Sequence, residues 1–258
     1  MNRVTHSMTP VSGLGNQMFQ VASAVGYGIK HGHTPVFNIP KSPHEEDPIY
    51  IEHCFYSLSK ESLSNPHLIS ETASSIYSSI PFVDGDVCLD GYFQSPKYFA
   101  DEGYIRSLLS LSTQDDESIK KRYSDILKKD TVSIHVRRGD YLLESQKTIH
   151  PMLPAKYYKK ALDEIEHDTV LCFSDDIKWC KKNLRFKNVF FVEGNTSWED
   201  MHLMSLCNNN IISNSTFSWW AAFLNKNKNK RVIFPSRWFG DEYEHKTDDM
   251  FPSSWNSI

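Results

Sequence analysis

The sequence predicts an α/β chain built on parallel sheets, and three observations carry that expectation. In the second half, short runs rich in β-branched or aromatic residues alternate with helical patterns about every 20 residues, the order that right-handed βαβ crossovers produce. The chain has 258 residues, enough for one large domain or two ordinary ones. Hydrophobic residues make up 40% and charged residues 23%, which excludes a largely disordered chain.

In the first half, a strand is expected over Val4–Val11, followed by Gly13-Leu-Gly-Asn-Gln17 and a helix to about His31. A second strand is expected over Thr34–Ile39. Lys41–Pro48 holds two prolines and several charges and reads as a loop. Ser57–Ser79 is serine-rich without a clear period, so no element is assigned there. Val87–Phe93 reads as a strand ended by the Gln94-Ser-Pro96 break. Gln114–Lys129 is charged and helical and closes the first domain, so the expected division is 1–129 and 130–258. In the second domain, strands are expected at Thr131–Val136, Thr169–Phe173, Asn188–Val192, Asn210–Ser213 and Arg231–Phe234. Helices are expected at Pro154–Glu166, Asp176–Leu184, Ser197–Cys207 and Phe217–Asn225.

Composition narrows the function classes. The net charge is −4, so no global attraction to nucleic acid or anionic membrane exists, and no basic aromatic stripe appears. The longest apolar run, Trp219–Leu224, is far short of the roughly 18 residues of a membrane span. Met1–Gly15 lacks the apolar stretch of a secretory signal, so the expected location is the cytoplasm, with room for peripheral membrane contact. None of the five cysteines forms a Cys-x-x-Cys pair, which favours reduced, packed thiols over zinc ligation. The sequons at Asn195 and Asn214 read as chance matches without a signal.

Ligands of parallel sheets sit outside the carboxyl ends of the strands, so the chemistry is sought there. Ser133-Ile-His-Val-Arg-Arg-Gly-Asp-Tyr141 starts as a strand and ends in a turn. Period two puts His135 and Arg137 on one face. Two adjacent arginines need an anion or a carboxylate. Guanidinium forks match phosphate oxygens, while the structural reading pairs Arg138 with Asp140 or another carboxylate. In Ile211-Ile-Ser-Asn-Ser-Thr-Phe-Ser-Trp-Trp220, Asn214, Ser215 and Thr216 crowd where a helix begins, which suits an anion or an ordinary cap. Trp219 and Trp220 are expected in the core. In Phe173-Ser-Asp-Asp176, one carboxylate could accept two N–H bonds from a guanine edge while the other caps a helix. Gly13, Gly15, Asn16 and Gln17 combine backbone approach with amide groups; Met18 in the last glycine position rules out the dinucleotide fingerprint.

These four segments together resemble the inverting α-1,2-fucosyltransferase family, most strongly at Gly13-Leu-Gly-Asn-Gln-Met-Phe-Gln20, His135-Val-Arg-Arg-Gly-Asp-Tyr141 and Ser213-Asn-Ser-Thr-Phe-Ser-Trp-Trp220. The resemblance implies a GT-B-like fold, two Rossmann-type domains facing a cleft, with the second holding GDP-fucose and the first facing a galactose-terminated glycan. It implies no metal and no cofactor beyond the donor. By the same resemblance, Arg137 and Arg138 would grip the diphosphate, and His135 with Asp175 or Asp176 would read guanine. Ser215 and Thr216 would bind phosphate, and Asn16 would approach the sugar or diphosphate. The growing charge on GDP would be met by arginines and backbone dipoles. Glu144 is the candidate general base; Asp140 is catalytic or structural. The rival readings are a transferase for another sugar nucleotide and a non-catalytic nucleotide- or glycan-binding protein on the same scaffold.

Overall fold

The computed structural model describes residues 1–9, 12–38, 50–72, 75–241 and 246–258. The loop expected at Lys41–Pro48 therefore lies outside the described residues, as do the ends of the strands expected at Val4–Val11 and Thr34–Ile39. The chain divides into two compact units, one of Met1–Ser110 with His245–Pro252 and one of Leu111–Glu244 with Ser253–Ile258.

The first unit holds β1 (Arg3–His6), α1 (Leu14–His31), β2 (Thr34–Pro35), α2 (Tyr50–His53), β3 (His67–Ser70), β4 (Val87–Asp90) and α3 (Glu102–Leu108). Its sheet is parallel, in the order β2-β1-β4-β3. In α1, Met18, Phe19, Val21, Ala22 and Val25 are buried. The helix stops at Gly32, whose φ of 74° gives the left-handed cap. β1 and β2 are shorter than the sequence suggested. β3 arises in the serine-rich stretch that carried no assignment, because it is an exposed edge strand recruited through backbone pairing with β4.

The second unit holds α4 (Thr113–Arg122), α5 (Ser124–Leu127), β5 (Thr131–Val136), α6 (Glu144–Lys147), α7 (Ala155–Asp163), β6 (Thr169–Ser174), α8 (Ile177–Asn183), β7 (Val189–Phe191), α9 (Ser197–Leu206), β8 (Asn209–Ile211), α10 (Thr216–Leu224), β9 (Val232–Phe234) and β10 (Asn256–Ser257). All its strand pairs are parallel, in the order β10-β9-β8-β5-β6-β7. The single helix expected at Gln114–Lys129 is two. Tyr123 leaves helical geometry, and its buried hydroxyl donates to Asn195 Oδ1 at 2.8 Å. α4 packs on α9, with His202 Nε2 2.8 Å from Asp116 Oδ1. That packing draws residues 111–129 into the second unit, so the division falls before α4 rather than at 129/130.

β5 is buried along its whole length. Val132, Ile134 and Val136 face a core with Tyr158, Leu162, Val170 and Cys172. Thr131, Ser133 and His135 alternate with them. Trp219 and Trp220 are fully buried, as expected. No helix among the described residues is long and apolar enough to cross a membrane.

Candidate active site

The second sheet reverses its order between β5 and β8: β6 and β7 follow on one side, β9 and β10 on the other. Such a switch point opens a crevice outside the carboxyl ends of the two strands. The residues after β5 and β8 meet there. His135 Nδ1 lies 2.8 Å from Ser213 Oγ, and Tyr141 donates its hydroxyl to Asn214 O at 2.8 Å. Burial first, and Arg137 second, push the His135 imidazole down to about 3. The ring is therefore neutral at pH 7 and offers hydrogen bonds rather than charge.

Arg137 donates from Nη2 to Asp140 Oδ1 at 2.7 Å and pairs through Nη1 with Asp175 Oδ2 at 2.9 Å. Arg138 donates its backbone N–H to Asp175 Oδ1 at 2.9 Å and its Nε to Asp176 Oδ2 at 3.0 Å. Its guanidinium lies 4.3 Å over the Trp179 ring. Asp176 also caps α8, accepting from Trp179 N–H at 3.0 Å. That bond first, and Arg138 with it, hold the Asp176 carboxyl below the usual range. Asp140 thus serves Arg137, and the carboxylate partner of Arg138 is Asp176. A β-carbon at Gly139 would stand 2.6 Å from Asp175 Oδ2, so a side chain there would push that carboxylate from its present place.

Asn214 is a clamp: its amide donates to Pro151 O at 3.0 Å and Trp238 O at 3.1 Å, tying two loops to the end of β8. Ser215 precedes α10 and makes no side-chain cap bond; Thr216 opens the helix, and both are half-buried. Glu144 begins α6 with its side chain 89% exposed, paired to Lys147.

In the first unit, Gly13 precedes α1, and a β-carbon there would meet no atom within 4 Å. Gly15 is buried in the first turn. Asn16 Oδ1 accepts from Gln94 Nε2 at 3.1 Å. Gln17 is fully buried and donates to Ser12 O at 2.9 Å, which ties the loop to the helix.

Asp200 was not singled out from the sequence. It sits in the first turn of α9, half-buried, with Asn195 Nδ2 donating to its Oδ1 at 3.0 Å. Burial foremost, with the Glu199 charge, raises its carboxyl to about 7. A signal existed: the capping box of Thr196 and Glu199 accounts for one carboxylate and leaves the adjacent Asp200 unexplained.

Known proteins extend this picture. Residues 79–258 match the sequence pattern of glycosyl transferase family 11. An α-1,2-colitosyltransferase of Escherichia coli is 30% identical over 95% of this chain and 96% of its own length. The O-antigen biosynthesis glycosyltransferase WbnK of Escherichia coli is 39% identical, over 50% of this chain and 44% of its own length. The fold matches that of the fucosyltransferase NodZ from Bradyrhizobium with a TM-score of 0.59 and 16% identity, over 87% of this chain and 94% of that one. The two parallel-sheet units and these likenesses give the chain a GT-B-like fold, and the chain belongs to glycosyl transferase family 11.

Proposed function

We propose that the chain moves fucose from GDP-fucose to a hydroxyl of a galactose-terminated glycan, with inversion, forming an α-1,2 linkage. One observation carries this reading: two arginines at the switch point, each oriented by an aspartate, beside the first turn of α10. Held arginines can meet the charge that grows on a leaving diphosphate without reorganising during the reaction. Among the described residues Arg138 spends only Nε on Asp176, which leaves its two Nη groups for phosphate oxygens. Ser215, Thr216 and the first amides of α10 add donors. By the family resemblance, Asn16 and its glycine neighbours would contact the sugar or diphosphate.

Guanine needs a carboxylate that accepts from N1–H and the N2 amino group. Asp175 and Asp176, the candidates from sequence, are committed to the arginines. Among the described residues Asp200 pairs with no cation, and we assign it the base edge, with His135 nearer the phosphates. Glu144 remains the candidate proton acceptor for the attacking hydroxyl. Arginine supplies the positive charge, so the reaction runs without a divalent metal.

A nematode galactoside 2-α-L-fucosyltransferase, 25% identical over 95% of this chain, supports the linkage. The colitosyltransferase likeness over nearly the whole chain favours a second reading, in which the sugar moved is colitose. The experiment offers GDP-fucose and a colitosyl donor to galactose-terminated oligosaccharides, with linkage read by NMR. Transfer in excess EDTA should match that in magnesium. Loss of most activity on chelation overturns the metal-free reading; a higher kcat/KM for colitose overturns fucose as the sugar.

A further inference from the structure

His150 lies outside every role assigned above, yet the second unit is built closely around its ring. Tyr141 stacks on it, with centroids 4.7 Å apart and planes 9° apart. Phe239 flanks it at 5.8 Å. The loops on both sides are fixed. Gly240 N–H donates to Ile149 O at 2.8 Å, and a β-carbon at Gly240 would stand 1.7 Å from Thr148 O. The Asn214 clamp holds Pro151 and Trp238, the neighbours of His150 and Phe239. Tyr141, the stacking partner, also lies under the Arg137 guanidinium, 5.7 Å from its ring centroid.

This enclosure leaves His150 Nδ1 buried without a partner among the described residues, whereas Nε2 is not enclosed in that way. Burial foremost lowers the pKa of the ring; Asp140 opposes that and Arg137 adds to it, so the neutral form prevails at pH 7. A neutral imidazole carries one proton. Orphaned buried N–H groups are rarer than under-satisfied acceptors, so the proton belongs on Nε2 and the lone pair on buried Nδ1. The ring then presents an N–H donor, shares Tyr141 with Arg137 as a neighbour, and is kept from turning away by its stacking partners.

We propose that His150 is a further donor to the leaving diphosphate, its Nε2–H bonding an oxygen of the β-phosphate. The inference rests on the nucleotide reading above. In the transfer, the acceptor oxygen forms a bond to the anomeric carbon, and its proton passes to solvent or to a carboxylate. The bond from that carbon to the diphosphate oxygen breaks, and its electron pair stays on the phosphate. A donor placed at that group strengthens its bond as the charge arrives.

Calorimetric titration with GDP and GMP tests this, using wild type, His150→Phe and His150→Gln. GMP lacks the β-phosphate, so it controls for everything else in the site. Phe keeps the stack and removes the donor; GDP affinity should fall roughly tenfold, as expected for a bond to a charged group, with GMP nearly unchanged. Gln keeps an N–H and should retain most of the GDP/GMP ratio. An unchanged ratio in Phe, or a loss in Gln as large as in Phe, overturns the donor role in favour of packing alone. Should Phe fail to fold, ¹⁵N spectra of the wild-type histidines decide. A His150 Nε2 signal that moves with GDP and stays put with GMP supports the contact, and equal responses overturn it. A wild type that binds no GDP fails the nucleotide reading itself, whereas GDP binding with an unchanged ratio fails this inference alone.

Discussion

Arg137 and Arg138 are neighbours with different jobs available to them. Arg137 is held by two carboxylates; Arg138 is held by one and rests on Trp179. Replacing either with Ala should lower kcat by about 10²–10³, the cost of losing one preorganised donor to a developing anion. Lys should rescue poorly at Arg138, since an ammonium neither forks nor stacks as a guanidinium does. Turnover near wild type with Lys at both positions would sink the bidentate grip. Asp200 gives a second test through pH. Its folded-state carboxyl titrates near 7, against about 3.9 when unfolded. The native state therefore holds the proton more tightly, and stability falls as pH rises from about 4 to 7. Asp200→Asn should remove that penalty, so its melting advantage over wild type grows between pH 4 and pH 8. The same variant should narrow the preference for GDP over ADP. Asp175→Asn and Asp176→Asn should instead weaken transfer by releasing the arginines. A GDP/ADP ratio unmoved by Asp200→Asn would mean that guanine is read elsewhere.

At the scale of elements, β8 is held by amides as much as by its ladder. Asn210 is fully buried and donates to Ser133 Oγ at 2.7 Å and Met204 O at 2.8 Å, while its Oδ1 accepts from Asn225 at 2.8 Å. Asn210→Leu strands these partners, and each buried polar group left unpaired costs about 1–3 kcal/mol. Urea unfolding should show a loss of about 3 kcal/mol; a loss near zero would mean that the network relaxes onto water. Such networks also mark the limit of what sequence reveals. β5 appears at the expected residues, Thr131–Val136, because a strand buried on both faces needs an unbroken run of compatible residues. β3 and β10 were not legible: one is an exposed edge and the other a two-residue pairing, and neither has a side-chain period. The arginines and the hydroxyl run stood out because each group is contiguous in the chain. Asp140 is close in the chain, but Asp175 and Asp176 lie 37 and 38 residues beyond Arg138, in another strand's loop, and only the β5–β6 pairing brings them near. Asp175 and Asp176 were singled out as a guanine reader and a helix cap; Asp176 does cap α8, and their bonds to the arginines could not be foreseen without that pairing.

Across the whole molecule, acid should be the sensitive direction. Each unit contains a buried histidine pushed down to about 3, His6 in the first and His135 in the second, with burial the main cause in both. Unfolded histidine titrates near 6.5. Between those values the unfolded chain gains protons that the native ring refuses, so stability falls as pH drops from about 6.5 toward 3. Asp176 and Asp249, lowered by their partners, add to the loss at the bottom of that range, whereas Asp200 opposes it. Calorimetry should show the melting temperature dropping between pH 7 and pH 4, and dropping less in His6→Phe. A flat profile would mean that His6 opens to water in the native state. The division of the chain carries a further consequence, for the order in which the protein is made. Residues 246–252 complete the first unit: Asp249 Oδ2 accepts from Tyr77 N–H at 2.9 Å, Ser95 Oγ donates to Asp249 O at 2.6 Å, and Met250 is fully buried. A ribosome delivers residues 1–110 first but cannot supply this piece until residues 111–244 have emerged. The first unit must wait through that interval with its surface unfinished, so translation, rather than chain collapse, sets the earliest moment at which it can close.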